Sequence, residues 1–189
     1  MLELRNILKI VIVCGLHYIT LGLRPHKIEI DAFRCEFNPN ITKVFTIKMI
    51  ESKDRNKLNG SFGFTQDMYA LNVVNWLTFG GANGKQQRMY NVTANACQYL
   101  DKSIGSVNPF LLSVFALMRK TISDFPPRCP AKKDEIYSML NFYIDEEQLP
   151  PYLPRNFKYN VFFGVLHKSK YAFKVFIDGH TEDRLPKKN

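Results

Sequence analysis

Cysteine is the residue type with the clearest chemistry in this sequence of 189 residues, which contains four cysteines. Cys14 lies in an apolar N-terminal run, and Cys35, Cys97 and Cys129 follow it. An odd number of cysteines in an oxidising compartment predicts one disulfide and one free thiol, and the sequence alone allows three pairings. We favour a bond between Cys97 and Cys129, because these two bracket a predicted helix within one compact unit. Cys35 would then be a buried free thiol or would pair with a partner chain.

The other reactive side chains lack the spacing of a known catalytic or metal site. His26, His167 and His180 do not have the spacing of zinc ligands, and no serine lies in a Gly-x-Ser-x-Gly motif. The acidic run at residues 145–147 opens a proline-rich stretch, which predicts a solvated turn rather than a calcium site. We therefore expect a protein that is not an enzyme and that uses no metal and no cofactor.

A glycine-rich stretch ends at Gly84 and Lys85 and has part of the pattern of a phosphate-binding loop. The first glycine of that pattern would fall on Phe79, and Gln86 stands where serine or threonine is required. We interpret the stretch as a connection between strands. The motifs of nucleic-acid-binding domains are also missing, so we expect no nucleic-acid partner.

The N-terminus has the pattern of a secretory signal peptide. Arg5 and Lys9 precede and enter an apolar run that reaches residue 16, and small residues near Gly22 offer a cleavage site. We expect residues 1–22 to be removed and the remainder to be secreted and extracellular, with a retained membrane anchor as the alternative. Three N-glycosylation sequons agree with secretion; they begin at Asn40, Asn59 and Asn91.

The chain is basic, with a formal net charge of +9 at pH 7. This excess favours contact with anionic lipid head groups, acidic glycans or the negative surface of a partner such as an extracellular receptor. No later segment is long enough to span a bilayer, so we expect any membrane contact to be at the surface. A diffusely charged, soluble surface is the alternative interpretation.

One helix is predicted between Cys97 and Cys129. Asn108 can cap it, and Pro109 suits its first position. Pro126 and Pro127 would end it. Apolar residues recur in between at three- and four-residue steps and form a face that we expect to point at the sheets; they are Leu111, Val114, Phe115, Met118 and Ile122.

The remaining sequence has the alternating pattern typical of β-strands. Its first strand interrupts the alternation, which indicates a β-bulge, and a four-residue turn at 167–170 predicts a hairpin. Seven or eight short antiparallel strands favour a mainly β fold, either a sandwich or a barrel. We assign residues 23–177 to one domain and residues 178–189 to a polar tail. The strands are predicted at 28–37, 45–49, 58–65, 71–79, 89–93, 136–144, 157–165 and 171–177.

Several short motifs occur in an order that carries a family resemblance. They are Phe-Arg-Cys at 33–35, Tyr-Asn-Val-Thr-Ala-Asn-Ala-Cys-Gln-Tyr-Leu at 90–100, Asn-Pro-Phe at 108–110 and Cys-Pro at 129–130. This order resembles a large family of secreted insect proteins carried as a domain of unknown function. That family is similar to the ML-type lipid-recognition domains, such as the ganglioside activator and sterol-transfer proteins, and some of its insect members are chemosensory.

The resemblance implies an immunoglobulin-like β-sandwich with a cleft for a lipid and no catalysis. It also supports the bond between Cys97 and Cys129. Members of the family often carry a further cysteine near the position of Lys48, able to pair with the first-strand cysteine. Here that position is not cysteine, so Cys35 lacks its expected partner.

We predict a secreted, non-enzymatic protein that binds a lipid or small hydrophobic ligand between its sheets, in chemosensory or extracellular signalling. A secreted protein-interaction module with a filled core and no ligand is the alternative. Each residue that we expect to contact the ligand could instead be an ordinary core residue, since every sandwich has a packed interior. These residues are Phe45, Ile47, Phe62, Phe64, Leu71, Val73, Phe115, Tyr159, Phe163 and Phe173.

Overall fold

The computed structural model describes residues 26–80, 85–100, 109–146 and 157–183. The predicted signal peptide, the capping residue Asn108, residues 81–84 of the glycine-rich connection and residues 147–156 of the proline-rich crossing lie outside these ranges.

The described residues form nine strands and two helices. The helices are α1 (Ala96–Leu100) and α2 (Pro109–Thr121). The strands are β1 (His26–Phe37), β2 (Thr42–Ile50), β3 (Lys57–Phe64), β4 (Leu71–Gly80), β5 (Gln86–Asn95), β6 (Ile122–Ser123), β7 (Ile136–Phe142), β8 (Lys158–His167) and β9 (Lys170–Asp183).

The strands belong to two antiparallel sheets. One sheet has five strands in the order β1-β9-β8-β4-β5, and the other has four strands in the order β2-β3-β7-β6. Neighbours such as β1 and β9 are distant in sequence, so the five-stranded sheet forms only when the first and last described strands pair.

Aromatic rings join the inner faces of the two sheets. Phe173 of β9 lies 5.0 Å from Phe45 of β2 and 5.3 Å from Phe62 of β3, measured between ring centroids. Tilted ring pairs at this distance are favourable beyond the area that they bury. The core of the molecule therefore lies between the sheets.

The mainly β class predicted from the sequence is confirmed, and all eight predicted strands are present. The register of β1 against β9 shifts between Ile30 and Ala32, which is the irregularity that the broken alternation indicated. Lys168 and Ser169 connect β8 to β9 with φ angles of 46° and 66°, as a two-residue hairpin turn of type I′ requires. The ninth strand, β6, is too short to leave a periodic pattern.

The predicted tail boundary at residue 178 is wrong. β9 continues to Asp183, because its last residues pair with the start of β1 and His26 lies opposite Asp183. The polar residues from Asp178 to Asp183 belong to the end of this strand.

The predicted helix begins at Pro109 as expected but ends at Thr121 instead of at the prolines. The backbone leaves the helix there because Ile122 pairs with Met139 of β7. The short helix α1 was not predicted. It begins after Asn95, whose side-chain Oδ1 accepts a hydrogen bond of 2.9 Å from the backbone N–H of Cys97, a standard N-cap.

Within the described ranges, no helix combines the length and the apolar character needed to cross a membrane.

Candidate functional site

An apolar cavity of about 170 Å³ lies between the two sheets. All nine strands and α2 contribute side chains to its wall, whereas α1 contributes none. Most of the wall is aliphatic or aromatic. Its apolar residues include Ile28, Leu58, Leu77, Val114, Leu117, Met118, Ile122, Met139, Phe142, Val161, Val175 and Ile177, together with six of the ten residues predicted from the sequence.

Those six residues come from four different strands. Their side chains converge because alternate residues of a strand share one face. They are Phe45 and Ile47 of β2, Phe62 of β3, Tyr159 and Phe163 of β8, and Phe173 of β9. Their contact with a ligand stays a prediction.

The other four predicted residues, Phe64, Leu71, Val73 and Phe115, do not line the cavity. All four are buried, but they lie where the interior is filled. Phe64 packs against Tyr137 with a centroid distance of 6.2 Å. Phe115 stacks on Tyr99, 4.9 Å away and nearly parallel. These residues serve the packed core, which was the alternative role for each of them.

Helix α2 supplies wall residues that the sequence prediction did not select. Val114, Leu117, Met118 and Thr121 face the cavity, whereas Phe115 turns toward α1. The helical periodicity did contain this signal, since Val114 and Met118 are four residues apart. On β8, Val161 lies between Tyr159 and Phe163 on the same face, so alternation alone would have found it.

One polar pair, the buried Asn75 and the half-buried Tyr90, interrupts the apolar wall. The Tyr90 hydroxyl donates to Asn75 Oδ1 over 2.8 Å, and Asn75 Nδ2 donates to the backbone carbonyl of Phe162 over 2.8 Å. Asn75 exposes only 3% of its surface. Burial raises the pKa of Tyr90, so its phenol stays protonated and remains a donor at neutral pH.

Tyr159 places the polar end of its ring away from the cavity. Its hydroxyl donates to the backbone carbonyl of Glu29 over 2.7 Å, and burial raises its pKa. Gly179 makes this contact possible, since a Cβ there would collide with both the Tyr159 hydroxyl and the Glu29 carbonyl oxygen.

The disulfide joins Cys97 to Cys129, with their Cα atoms 5.4 Å apart. This is the pairing that we favoured from the sequence. It ties α1 to the segment that follows α2, and the stacked rings of Tyr99 and Phe115 add a second contact between the two helices. Together these contacts hold α2 against the cavity.

Cys35 is a free thiol on β1 and is half-buried. Burial raises the pKa of this thiol to about 11. Thiolate is the reactive form of cysteine, so this site is poorly suited to nucleophilic chemistry at neutral pH.

Within the acidic run, Glu146 does not lie in the solvated turn that the sequence predicted. Glu146 exposes 1% of its surface and forms a bidentate pair with Arg55, with N–O distances of 2.9 and 3.0 Å. Arg55 also lies over the ring of Tyr143, 4.6 Å from its centroid. Among the residues that the structure describes, no three or more His, Cys, Asp or Glu side chains are grouped so as to hold a metal ion.

Comparison with known families matches a segment that begins at β4 and ends within β8. Residues 71–161 match the model of a family described as "Protein of unknown function (DUF1091)". The DUF1091 match supports a place in a domain-of-unknown-function family. It includes both cysteines of the disulfide, both helices and the Asn75–Tyr90 pair. No curated protein matches the chain.

Proposed function

We propose that this chain is a secreted, non-enzymatic protein that binds a lipid or a small hydrophobic ligand between its two sheets. The observation that carries the proposal is the apolar cavity of about 170 Å³, walled by both sheets and α2. An engineered apolar cavity of about 150 Å³ in another protein stays dry and binds benzene or xenon. The space is thus large enough for a small ring or for part of an acyl chain.

The finer assignments belong to the same proposal. The two facing sheets fit an immunoglobulin-like sandwich of the ML lipid-recognition type, and the DUF1091 match fits the insect family that the sequence motifs resemble. A disulfide is typical of secreted proteins. Chemosensory or extracellular signalling, with a receptor or an acidic surface as a further partner, is the role that this combination suggests.

Benzene is a suitable probe of the cavity. A ligand that binds only the folded state raises its stability, and at ten times its dissociation constant the melting temperature should rise by about 3–5 °C. We expect this rise in the wild-type chain, measured by thermal unfolding monitored with circular dichroism.

A matched pair of valine substitutions tests where the benzene binds. Val161→Trp places a bulky ring in the cavity and should abolish the rise. Val74→Trp makes the same change on the outer face of β4, opposite Gly164, and should preserve it. An unchanged melting temperature in the wild-type chain would rule out ligand binding between the sheets.

A further inference from the structure

We propose that the cavity accepts only hydrocarbon, so that any polar group of the ligand must stay outside it. The inference rests on the proposed function and names the ligand chemistry of the same site. It follows from how little polar surface the described wall presents to the cavity and from the partners that its polar side chains already have.

Asn75 is the polar side chain best placed to recognise a ligand, and each end of its amide already has a hydrogen-bond partner within the protein. Its Oδ1 accepts from the Tyr90 hydroxyl and its Nδ2 donates to the Phe162 carbonyl, each over 2.8 Å. Almost none of the surface that the described wall presents to the cavity is polar, so the remaining hydrogen-bonding capacity of this amide is not offered to a ligand.

The hydroxyl groups of the wall are engaged in the same way. Tyr159 donates to the Glu29 carbonyl over 2.7 Å, and Thr121 donates to the Leu117 carbonyl over 2.8 Å. The hydroxyls of Thr46 and Ser61 lie 2.9 Å from each other in an exposed hydrogen bond, because these residues alternate with the inward-facing Phe45 and Phe62. The only charged side chain among the described wall residues is Asp145, which is partly exposed.

This arrangement favours binding of ligands that have no polar group. A hydroxyl that enters an apolar site without a new partner loses its hydrogen bonds to water, which lowers affinity about 10- to 100-fold. Each buried methylene, in contrast, raises affinity about fourfold. An alkyl chain segment or an unsubstituted ring is therefore the ligand part that suits the cavity.

Benzene and phenol provide the test, because they are similar in size and differ by one hydroxyl. We expect benzene to bind the wild-type chain at least tenfold more tightly than phenol, measured by isothermal titration calorimetry. Equal affinities would overturn this inference while leaving the proposed function in place. Absence of benzene binding would overturn both.

A tyrosine substitution then tests the role of the polar pair. Tyr90→Phe removes the hydroxyl that occupies Asn75 Oδ1 and leaves a buried acceptor in the wall. We expect phenol to bind this variant about tenfold more tightly than the wild type, with benzene affinity changed less than threefold. Tyr171→Phe is the control, since Tyr171 packs against Phe162 and does not line the cavity. A phenol affinity that is the same in all three proteins would overturn the assignment of Asn75.

Discussion

Arg55 and Glu146 form an ion pair in the interior, where a charge is costly to bury. Arg55 exposes 8% of its surface and Glu146 exposes 1%. The pair joins the connection between β2 and β3 to the residues after β7. Asp145, beside Glu146, belongs to the cavity wall. The pair therefore holds one border of the cavity in place.

Breaking this pair should be strongly destabilising. Glu146→Gln leaves the buried Arg55 charge with only the exposed carboxylate of Asp54, 4.0 Å away, as a counter-ion. We expect the free energy of unfolding to fall by about 3–5 kcal/mol, measured by urea denaturation. The double variant Arg55→Met with Glu146→Leu removes both charges and should recover much of that loss. Lys174→Gln, at a partly exposed pair with Glu36, is the control and should change stability by less than about 1 kcal/mol. A loss no larger in Glu146→Gln than in this control would contradict the role given to the pair.

Residues of β8 and β4 show how far alternation along a strand predicts the cavity wall. Tyr159 and Phe163 were correctly placed on the inner face, because alternation along β8 is a local property of the sequence. Val73 has the same alternation on β4 and is equally buried, yet it does not line the cavity. It lies opposite Val165, where the space between the sheets is filled. Local pattern distinguishes inside from outside, but it does not distinguish a filled region from an empty one.

At the scale of elements, α2 has a double role. Its inner residues line the cavity, and its position depends on α1, the disulfide and the pairing of Ile122 with β7. The two sheets have their own ladders of backbone hydrogen bonds. The helix is thus the element whose position depends most on a covalent bond.

Removing the disulfide should affect the helix more than the sheets. Cys97 and Cys129 are 32 residues apart, and we expect Cys129→Ser to lower the free energy of unfolding by roughly 3–4 kcal/mol. Benzene should bind less tightly, because α2 is no longer fixed against the cavity. Hydrogen exchange should remain slow in the β8–β9 hairpin.

Cys35→Ser is the matched control for this variant. It removes the free thiol and leaves the disulfide intact, so benzene affinity should be preserved. If Cys129→Ser binds benzene as tightly as this control, the disulfide stabilises the fold without positioning the helix.

At the scale of the whole molecule, the five-stranded sheet presents different surfaces on its two sides. Its inner side lines the cavity, whereas its outer side carries Trp76 stacked on Phe162, with ring centroids 5.4 Å apart. Asn91 lies opposite Trp76 in the register of β4 and β5 and is exposed. Residues paired across antiparallel strands share a face. The sequon at Asn91 therefore lies on the side away from the cavity.

We expect Asn91 to carry an N-glycan when the chain passes through the secretory pathway. Asn91→Gln should lower the intact mass of protein secreted from insect cells by one glycan and leave benzene affinity unchanged. Thr93→Ala destroys the same sequon and should give the same result, whereas Asn72→Gln, outside any sequon, should not. An Asn91 without glycan in secreted protein would contradict this expectation.

Local patterns in the sequence were enough to predict the mainly β class, the hairpin between β8 and β9, the start of α2 and the inward side of β2, β3, β4, β8 and β9. These features depend on residues close together in the chain, where alternation, helical steps and proline preferences act directly. The place of the cavity, the burial of Glu146 against Arg55 and the continuation of β9 to Asp183 follow from the tertiary fold and could not be predicted from local patterns. Each of these features depends on contacts between segments that are far apart in sequence, such as β1 and β9. The size and place of the cavity depend on how the side chains of the two sheets pack against each other.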